Sequence, residues 1–459
     1  MVAAASRPDV LRGARSRTLL VLWTTYASFY LCRSNIGPAV GSIRHDLGLT
    51  ALEMGLVLGA VKLGYASGQL INGQLTERFG ARKILGIGMV GSALATLLFA
   101  AAPSLAAVPV AARLVGALGH PLGLRSAAGP VLGVMIALAF VNGWFQAGGW
   151  PPCVKIAGQW FPLEHRGRTM GILGTSYTVG SAIAILAVGW LLTEAGGAWR
   201  IAFVAPPLLL LASFVHTTLR LRERPPVLPA WSTGAAPDTV DVGPRVAPAR
   251  LTRLSLRDAV AATLGNPRIW VLGFGLFGVD AVRYGFLDWA PGHLAEVHHT
   301  GPLSAALKTA VFPLAGAAGA LSSGWITDRF FQSRRGPVCA MLLAAVSGLT
   351  LAYRGVVDLG AAPTVVVLAL VGFCLYAAHI LLVGTAAQDF ARRGATAAAA
   401  GFVDFMGHVG AFSGDVVTGW SLRRYGWSGA IAWWAFAGLA AAALVATLWR
   451  ARPLEAHSV

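Results

Sequence analysis

Charged residues are scarce in this chain of 459 residues. Asp, Glu, Lys and Arg together make up 12% of the sequence, whereas a soluble globular domain carries about 25%. Hydrophobic residues account for 56% of the chain, and the mean hydropathy is +0.65. The shortage of charge excludes an ordinary soluble domain and indicates a protein that crosses a membrane many times.

Acidic residues are scarcer still, with 19 Asp and Glu against 36 Lys and Arg and a net charge of +17. A basic excess of this size could indicate a nucleic-acid partner. Most Lys and Arg residues, however, fall in segments that lie in the cytoplasm if the N-terminus is cytoplasmic and the chain crosses twelve times, which is the positive-inside distribution of membrane proteins. We therefore predict cytoplasmic N- and C-termini, a cell (inner) membrane location, contact with the lipid bilayer and no nucleic-acid partner.

Cysteine is rare, and the motifs of nucleotide-driven or catalytic proteins are missing. The sequence contains no Gly-x-x-x-x-Gly-Lys-Ser/Thr phosphate loop and no arrangement of a nucleophile with a base. The four cysteines match neither a metal site nor a disulfide framework; they are Cys32, Cys153, Cys339 and Cys374. We predict no enzyme activity, no cofactor and no metal site, so any transport is driven by a solute gradient.

Long apolar runs are abundant. About 20 apolar residues cross a bilayer as a helix. The sequence predicts an all-α membrane protein with twelve transmembrane helices, over residues 18–38, 54–74, 84–103, 130–148, 170–193, 200–220, 268–290, 303–326, 337–354, 362–385, 396–421 and 428–449.

A polar, proline-rich segment separates two sets of six spans. Its composition predicts a cytoplasmic linker, part of which, Leu251–Leu264, can form a short surface helix. The predicted divisions are a cytoplasmic N-terminus (1–17), a first six-helix half (18–221), the linker (222–266), a second six-helix half (267–450) and a cytoplasmic C-terminus (451–459).

Two intramembrane arginines mark an internal repeat. Arg33 interrupts the first apolar run and Arg283 the seventh, 250 residues later. A guanidinium at bilayer depth costs roughly 2.5–3.5 kcal/mol on insertion scales, and arginine does not escape by losing its proton. Two parallel six-helix halves around a site at mid-membrane are the arrangement of major facilitator transporters. The pair therefore predicts an anion site between the halves, with a salt bridge to a neighbouring acid as the alternative for each arginine.

The loop between the second and third spans supports the same fold. It reads Gly73-Gln-Leu-Thr-Glu77-Arg78-Phe-Gly80-Ala-Arg82-Lys and resembles the signature that major facilitator proteins carry there. Its first part recurs 251 residues later as Gly324-Trp-Ile-Thr-Asp328-Arg329-Phe. We predict a gating role for Gly73, Glu77, Arg78, Gly80, Arg82, Asp328 and Arg329, in which an acid caps a helix and basic residues pair with helix ends.

Three stretches resemble the organophosphate:phosphate antiporter family, which includes the glycerol-3-phosphate and hexose-6-phosphate transporters. They begin at Tyr26 (Tyr-Ala-Ser-Phe-Tyr-Leu-Cys-Arg-Ser-Asn), at Asn142 (Asn-Gly-Trp-Phe-Gln-Ala-Gly-Gly-Trp-Pro-Pro-Cys) and at Arg283 (Arg-Tyr-Gly-Phe-Leu-Asp-Trp-Ala-Pro). The resemblance implies that Arg33 and Arg283 bind a phosphoryl group. It also implies that tyrosines such as Tyr30 and Tyr65 line the cavity.

From this resemblance we predict a secondary transporter that exchanges a small organophosphate for inorganic phosphate by alternating access and functions as a monomer. Two alternatives remain open. One is a membrane sensor of a phosphorylated metabolite without significant transport. The other is a proton-coupled transporter of a carboxylate or phosphonate.

Some positions depart from the family pattern. Gln69 stands where relatives commonly have a lysine, and Tyr177 where several have a histidine. Lys62 lies seven residues before Gln69, on nearly the same helix face and about 10 Å toward the outer side. Lys62 either supplies, at a different depth in the membrane, the positive charge that relatives have at the position of Gln69, or extends its ammonium group to the outer interface. We include Lys62, Gln69 and Tyr177 in the predicted substrate site.

Ionisable residues in the seventh and eleventh spans are further candidates. Asp280 lies three residues before Arg283 and can pair with it, contact a cationic or hydroxyl group of the substrate, or carry a proton. Asp404 and His408 lie four apart, as a proton relay or a structural pair. His408 is the stronger candidate for substrate binding, while His379 reads as a packed polar residue.

Overall fold

A computed structural model describes residues 7–108, 129–161, 163–224, 256–332, 334–386, 390 and 396–451 of the chain. Within these residues the regular structure is helical. The helices of the first half are α1 (Arg7–Phe29), α2 (Ile36–Leu47), α3 (Ala51–Phe79), α4 (Ala81–Ala100), α5 (Ala102–Ala106), α6 (Gly129–Gln146), α7 (Trp150–Trp160), α8 (Leu163–Glu194) and α9 (Ala205–Arg220).

The second half repeats this architecture after the linker. Its helices are α10 (Leu256–Leu264), α11 (Pro267–Tyr284), α12 (Ala290–Val297), α13 (Pro302–Phe331), α14 (Arg335–Val356), α15 (Ala361–Ile380) and α16 (Thr396–Ala446). Helix α10 lies within the predicted surface helix at 251–264. Residues 225–255 of the predicted linker lie outside the described residues, as do 109–128 in the third connection.

Ten helices in the described part of the chain are long and apolar enough to cross a membrane. The difference from the twelve predicted spans arises at two places. The first predicted span is broken, because α1 ends at Phe29 and α2 begins only at Ile36. The last two predicted spans form the single element α16, inside which Gly426 has a positive φ of 65° and turns the chain. The structure is thus consistent with twelve spans in a different segmentation.

Local sequence explains where the helices begin and end. Thr50 starts α3 with a capping box, in which its side chain accepts from Glu53 N and the Glu53 carboxylate accepts from Thr50 N. Gly48, with φ of 64°, ends α2 in the left-handed region that glycine tolerates. Proline stands in the first turn of α9, α11, α12 and α13, where no backbone donor is lost.

The two halves pack against each other along three helix pairs. We call the end of the bundle that holds the α2–α3 connection the outer end, and the end that holds the start of α1 the inner end. At the outer end the backbones approach so closely that only glycine fits. A Cβ on Gly37 of α2 would lie 2.7 Å from Leu287 O, one on Gly55 of α3 would lie 2.6 Å from Asp415 O, and one on Gly189 of α8 would lie 2.4 Å from Ala306 Cβ.

The same helices separate toward the inner end. At Gly171, five turns from Gly189 on α8, the nearest atom to a Cβ is Leu321 Cδ2 at 3.9 Å. At Gly73 of α3 and Gly401 of α16, no heavy atom of the described residues lies within 4 Å of a Cβ. At these glycines, the two halves therefore pack more closely at the outer end of the bundle than toward the inner end.

Candidate substrate site between the two halves

Arg33 lies where the first span breaks. A turn of 3-10 helix replaces the α-helix immediately before it, which frees backbone carbonyls at membrane depth. Asn142 Nδ2 donates to Cys32 O at 2.8 Å, and Gln146 Nε2 donates to Phe29 O at 2.9 Å. Because an unsatisfied carbonyl is costly in a membrane, these two amides of α6 stabilise the interruption of the helix and fix the backbone that carries Arg33.

Arg283 lies at an equivalent irregularity in the second half. It is in the last turn of α11, and the chain continues as a turn of π-helix over Gly285–Trp289. Single π-turns are frequent at functional sites because they redirect the side chains around them. A second π-turn, Leu381–Ala386, follows α15 directly after His379. Both arginines are thus displayed by interrupted helices.

Arg33 reaches across to the second half and meets no acid there. Its Nη2 donates to the Tyr284 hydroxyl at 2.8 Å and lies 3.1 Å from His408 Nε2. Its guanidinium carbon is 4.1 Å from the centre of the Tyr65 ring. Within the described part of the chain, no carboxylate oxygen lies within 4.0 Å of Arg33. Arg33 as a whole residue is 9% exposed, and its guanidinium contacts neutral and aromatic groups.

Arg283, in contrast, has an acidic neighbour. Its Nε is 3.3 Å from Asp280 Oδ1, one turn earlier on α11, and its Nη1 is 2.8 Å from His379 Nε2. The guanidinium carbon lies 4.6 Å from the centre of the Tyr284 ring. Tyr284 therefore contacts both arginines, one through its hydroxyl and the other through its ring face. The two guanidinium groups, one from each half, thus share this tyrosine as a neighbour.

Lys62 is buried in an ion cluster on the outer side of the arginines. Its ammonium group donates to Asp288, and it lies 2.9 Å from Asp415 Oδ2. The other Asp415 oxygen accepts from Trp289 Nε1 at 3.1 Å. Lys62 belongs to α3 in the first half, whereas both aspartates belong to the second. The ammonium group thus links the two halves and neither extends to the outer interface nor remains free.

Polar contacts between α3 and α16 continue toward the inner end. The Tyr65 and His408 rings stack with centres 4.3 Å apart, and one turn further Gln69 Nε2 donates to Asp404 Oδ2 at 2.9 Å. His408 Nδ1 lies 3.0 Å from the backbone oxygen of Asp404, which fixes the imidazole with Nε2 toward Arg33. The predicted Asp404–His408 pair is therefore mainly a backbone contact, since the carboxylate itself is 3.9 Å from the ring.

Three neighbouring tyrosines, Tyr30, Tyr177 and Tyr376, lie close to the arginines. The ring of Tyr177 on α8 has its centre 6.3 Å from that of Tyr30 and 5.9 Å from that of Tyr376. The Tyr177 hydroxyl is buried and has no hydrogen-bond partner in the described residues. A buried, unpaired hydroxyl is a ready contact for a polar ligand.

The predicted gating loop forms a network at the inner end. Glu77 Oε2 lies 3.0 Å from Lys155 Nζ, and the N-terminus of α4 is capped by Glu223, whose carboxylate accepts from Ala81 N at 3.2 Å. The Arg82 guanidinium donates to the Thr218 carbonyl near the end of α9. Gly80 has φ of 93° at the α3–α4 junction, and Arg78 lies over Phe79. The Asp328 side chain is outside the described residues, and Arg329 is exposed.

The structure brings most of the predicted site residues together and adds others. Arg33, Arg283, Tyr30, Tyr65, Tyr177 and His408 surround one region, with Asp280, Gln69 and Asp404 at its edge. Sequence reasoning missed Tyr284 and Asp288, and His379 contacts Arg283 rather than merely packing. The position of Tyr284 directly after Arg283 was a signal that could have identified this tyrosine.

The family model of the Major Facilitator Superfamily matches residues 22–415. The chain belongs to the Major Facilitator Superfamily. It is a multi-pass membrane protein of a transporter superfamily and not an enzyme. Membership explains why two broken spans from equivalent positions face each other across the boundary.

Relatives of this superfamily member match along most of its length. The glycerol-3-phosphate transporter of Bacillus subtilis (strain 168) is 28% identical, covering 90% of this chain and 88% of the relative. The membrane sensor protein UhpC of Escherichia coli (strain K12) is 26% identical, with coverage of 90% and 88%. The probable hexose phosphate transport protein of Chlamydia muridarum (strain MoPn / Nigg) is 24% identical, with coverage of 95% and 90%. These relatives confirm the resemblance to the organophosphate:phosphate antiporter family.

Solved structures confirm the fold. A bacterial homologue of the human lysosomal transporter Spinster, in an inward-facing and unoccupied conformation, gives a TM-score of 0.65 at 16% identity over 96% of both chains. A variant of the nucleoside transporter NupG gives 0.64 at 14% identity over 95% of this chain and 98% of the other. At these identities the likeness concerns the major facilitator fold alone.

Proposed function

We propose that this protein exchanges a small organophosphate for inorganic phosphate by alternating access, as a monomer in the cell membrane. The observation that carries the proposal is the pair Arg33 and Arg283, one from each half, buried at equivalent places in the repeat and joined through Tyr284. A guanidinium presents paired donors that match phosphoryl oxygens. The glycerol-3-phosphate and hexose phosphate relatives support this class of substrate.

The cycle follows from where the arginines lie. Substrate enters from the inner end and its phosphoryl group contacts guanidinium groups of both halves, so that binding favours the halves closing around it. Without an anion, the buried Arg33 guanidinium has no carboxylate partner among the described residues, and the empty site resists closure because an uncompensated buried charge is costly. A carrier of this kind returns only when loaded, which makes exchange obligatory.

The test is phosphate exchange in proteoliposomes. Vesicles loaded with phosphate should take up radiolabelled phosphate, and vesicles without internal phosphate should not. Arg33→Lys and Arg283→Lys should each lower the rate about 100-fold, because a point charge lacks the paired donors. Arg200→Lys, at an arginine whose side chain is 55% exposed, is the matched control and should exchange normally.

Two results would contradict the proposal. Normal exchange in either site variant would remove the arginines from the site. Phosphate-ester binding by folded protein without any exchange would replace the carrier by a sensor, a function that the likeness to UhpC also supports.

A further inference from the structure

The charge of the buried site does not match a simple phosphate ester. In the middle of the described spans three cations face four carboxylates: Arg33, Lys62 and Arg283 against Asp280, Asp288, Asp404 and Asp415. Lys62 is taken by Asp288 and Asp415 in the outer cluster. The substrate region therefore holds two guanidinium groups and two carboxylates, and its formal charge is zero.

A dianionic ester would leave this region with two negative charges out of balance. Phosphate monoesters carry roughly −1.5 to −2 charges at pH 7, and uncompensated charge in a buried site costs several kcal/mol. A substrate that carries an ammonium group as well brings one of the missing positive charges with it. Such a substrate requires a carboxylate within reach of its ammonium group.

Asp280 is such a carboxylate. It is fully buried, and neither of its oxygens accepts a hydrogen bond from the described residues. Its closest cationic atom is Arg283 Nε at 3.3 Å. The Oδ2 oxygen faces Gly407 of α16, where a Cβ would lie only 2.8 Å away. Glycine at this position lets α16 pack directly against the carboxylate. The only other basic side chain within 4.0 Å of this carboxylate among the described residues is His379, whose Nε2 lies 3.4 Å from Asp280 Oδ1.

Asp404 extends the acidic edge along α16. It lies one turn before Gly407, its side chain is 18% exposed, and one of its oxygens accepts from Gln69 Nε2 at 2.9 Å. Arg33, which no described carboxylate contacts, lies beside Tyr65 and His408. The site thus combines one guanidinium without a carboxylate partner and one carboxylate, Asp280, that accepts no hydrogen bond from the described residues. This combination suits a zwitterion.

We propose that the organic substrate is a phosphorylated or phosphonylated amine. Its phosphoryl group contacts Arg33 and Arg283, and its ammonium group donates to Asp280, with Asp404 contributing to the acidic edge. The inference rests on the proposed exchange and narrows the substrate class. Inorganic phosphate fits as the counter-substrate in its monoanionic form, because that form has the same net charge as O-phosphoethanolamine and keeps acidic hydrogens that carboxylates can accept.

The test compares two ligands of one shape. O-Phosphoethanolamine and n-propyl phosphate differ in a terminal ammonium against a methyl group. We expect O-phosphoethanolamine to inhibit radiolabelled phosphate exchange at a concentration about tenfold or more below that of n-propyl phosphate, since a charge-assisted hydrogen bond discriminates by at least this factor. Equal or better inhibition by n-propyl phosphate would overturn the proposal while exchange itself stays established.

Variants identify the responsible carboxylate. Asp280→Asn keeps the shape and removes the charge, so the preference for O-phosphoethanolamine should fall to about twofold or less. Asp46→Asn, at an exposed aspartate whose side chain is 48% exposed, should keep it. A preference unchanged in both Asp280→Asn and Asp404→Asn would overturn the assignment of the ammonium site.

Binding gives a readout that does not depend on transport. Thermal unfolding of the purified protein in detergent should shift upward more with O-phosphoethanolamine than with n-propyl phosphate at equal concentration. If exchange is absent and this difference is present, the proposed exchange fails and the substrate class stands. If neither ligand shifts the transition, both are refuted.

Discussion

The ion cluster of Lys62 with Asp288 and Asp415 should determine how firmly the outer end stays closed. The ammonium group comes from the first half and the carboxylates from the second, and the Lys62 side chain is 4% exposed. Removing one partner of a buried ion pair costs roughly 3–5 kcal/mol. The cluster joins the halves only while the outer end is closed, so Lys62→Met should destabilise that state selectively. At 1.4 kcal/mol for each factor of ten, the equilibrium should move about 100-fold or more toward outer opening.

The assay is the distance between spin labels on exposed residues of the two halves near the outer end, such as His45 and Asp358. The wild-type chain should show one short distance, and Lys62→Met should add a longer one as a major population. Lys83→Met, which removes an exposed lysine at the inner end, is the matched control. Replacing the cluster with neutral groups of similar shape, Lys62→Met together with Asp288→Asn and Asp415→Asn, should restore the short distance. Unchanged distances in Lys62→Met would refute the role of the cluster.

Two further predictions concern the arginines' supports. Tyr284→Phe should raise the KM for phosphate exchange about tenfold with a smaller effect on the maximal rate, because Arg33 loses the hydroxyl that orients it. The control Tyr425→Phe, at an exposed ring, should change neither value. A KM that stays constant in Tyr284→Phe would contradict this role of the hydroxyl. Gln146→Leu should lower stability by about 1–3 kcal/mol, since it leaves Phe29 O unpaired in the membrane, and thermal unfolding in detergent that matches wild type would contradict this.

Much of the fold could be predicted from the sequence because the length and apolar composition of a segment are enough to identify a membrane helix. The first span was predicted less well. The break after Phe29 depends on hydrogen bonds from two side-chain amides of α6, more than a hundred residues away along the chain. The hydropathy of a short segment carries no information about such a distant contact. At the other end, Gly426 turns the chain between the positions predicted for the last two spans.

The site could be predicted where the repeat marks it. Arg33 and Arg283 were evident because each is a costly charge at the same place in both halves. The partners of Lys62 were not, since Asp288 lies 226 residues away along the chain and helical spacing relates only residues on one helix. For the same reason His379 gave no sign of its contact with Arg283, which packing between α11 and α15 creates.

The central claim is that guanidinium groups from both halves bind one phosphoryl group. Equilibrium binding of radiolabelled phosphate to the purified protein tests it most directly, in wild type, Arg33→Gln, Arg283→Gln and the exposed control Arg200→Gln. Each site variant loses charge-assisted hydrogen bonds worth about 1.5–3 kcal/mol apiece, so both should bind phosphate at least about 100-fold more weakly, and the control should bind as wild type does. Wild-type affinity in either Arg33→Gln or Arg283→Gln would contradict the account.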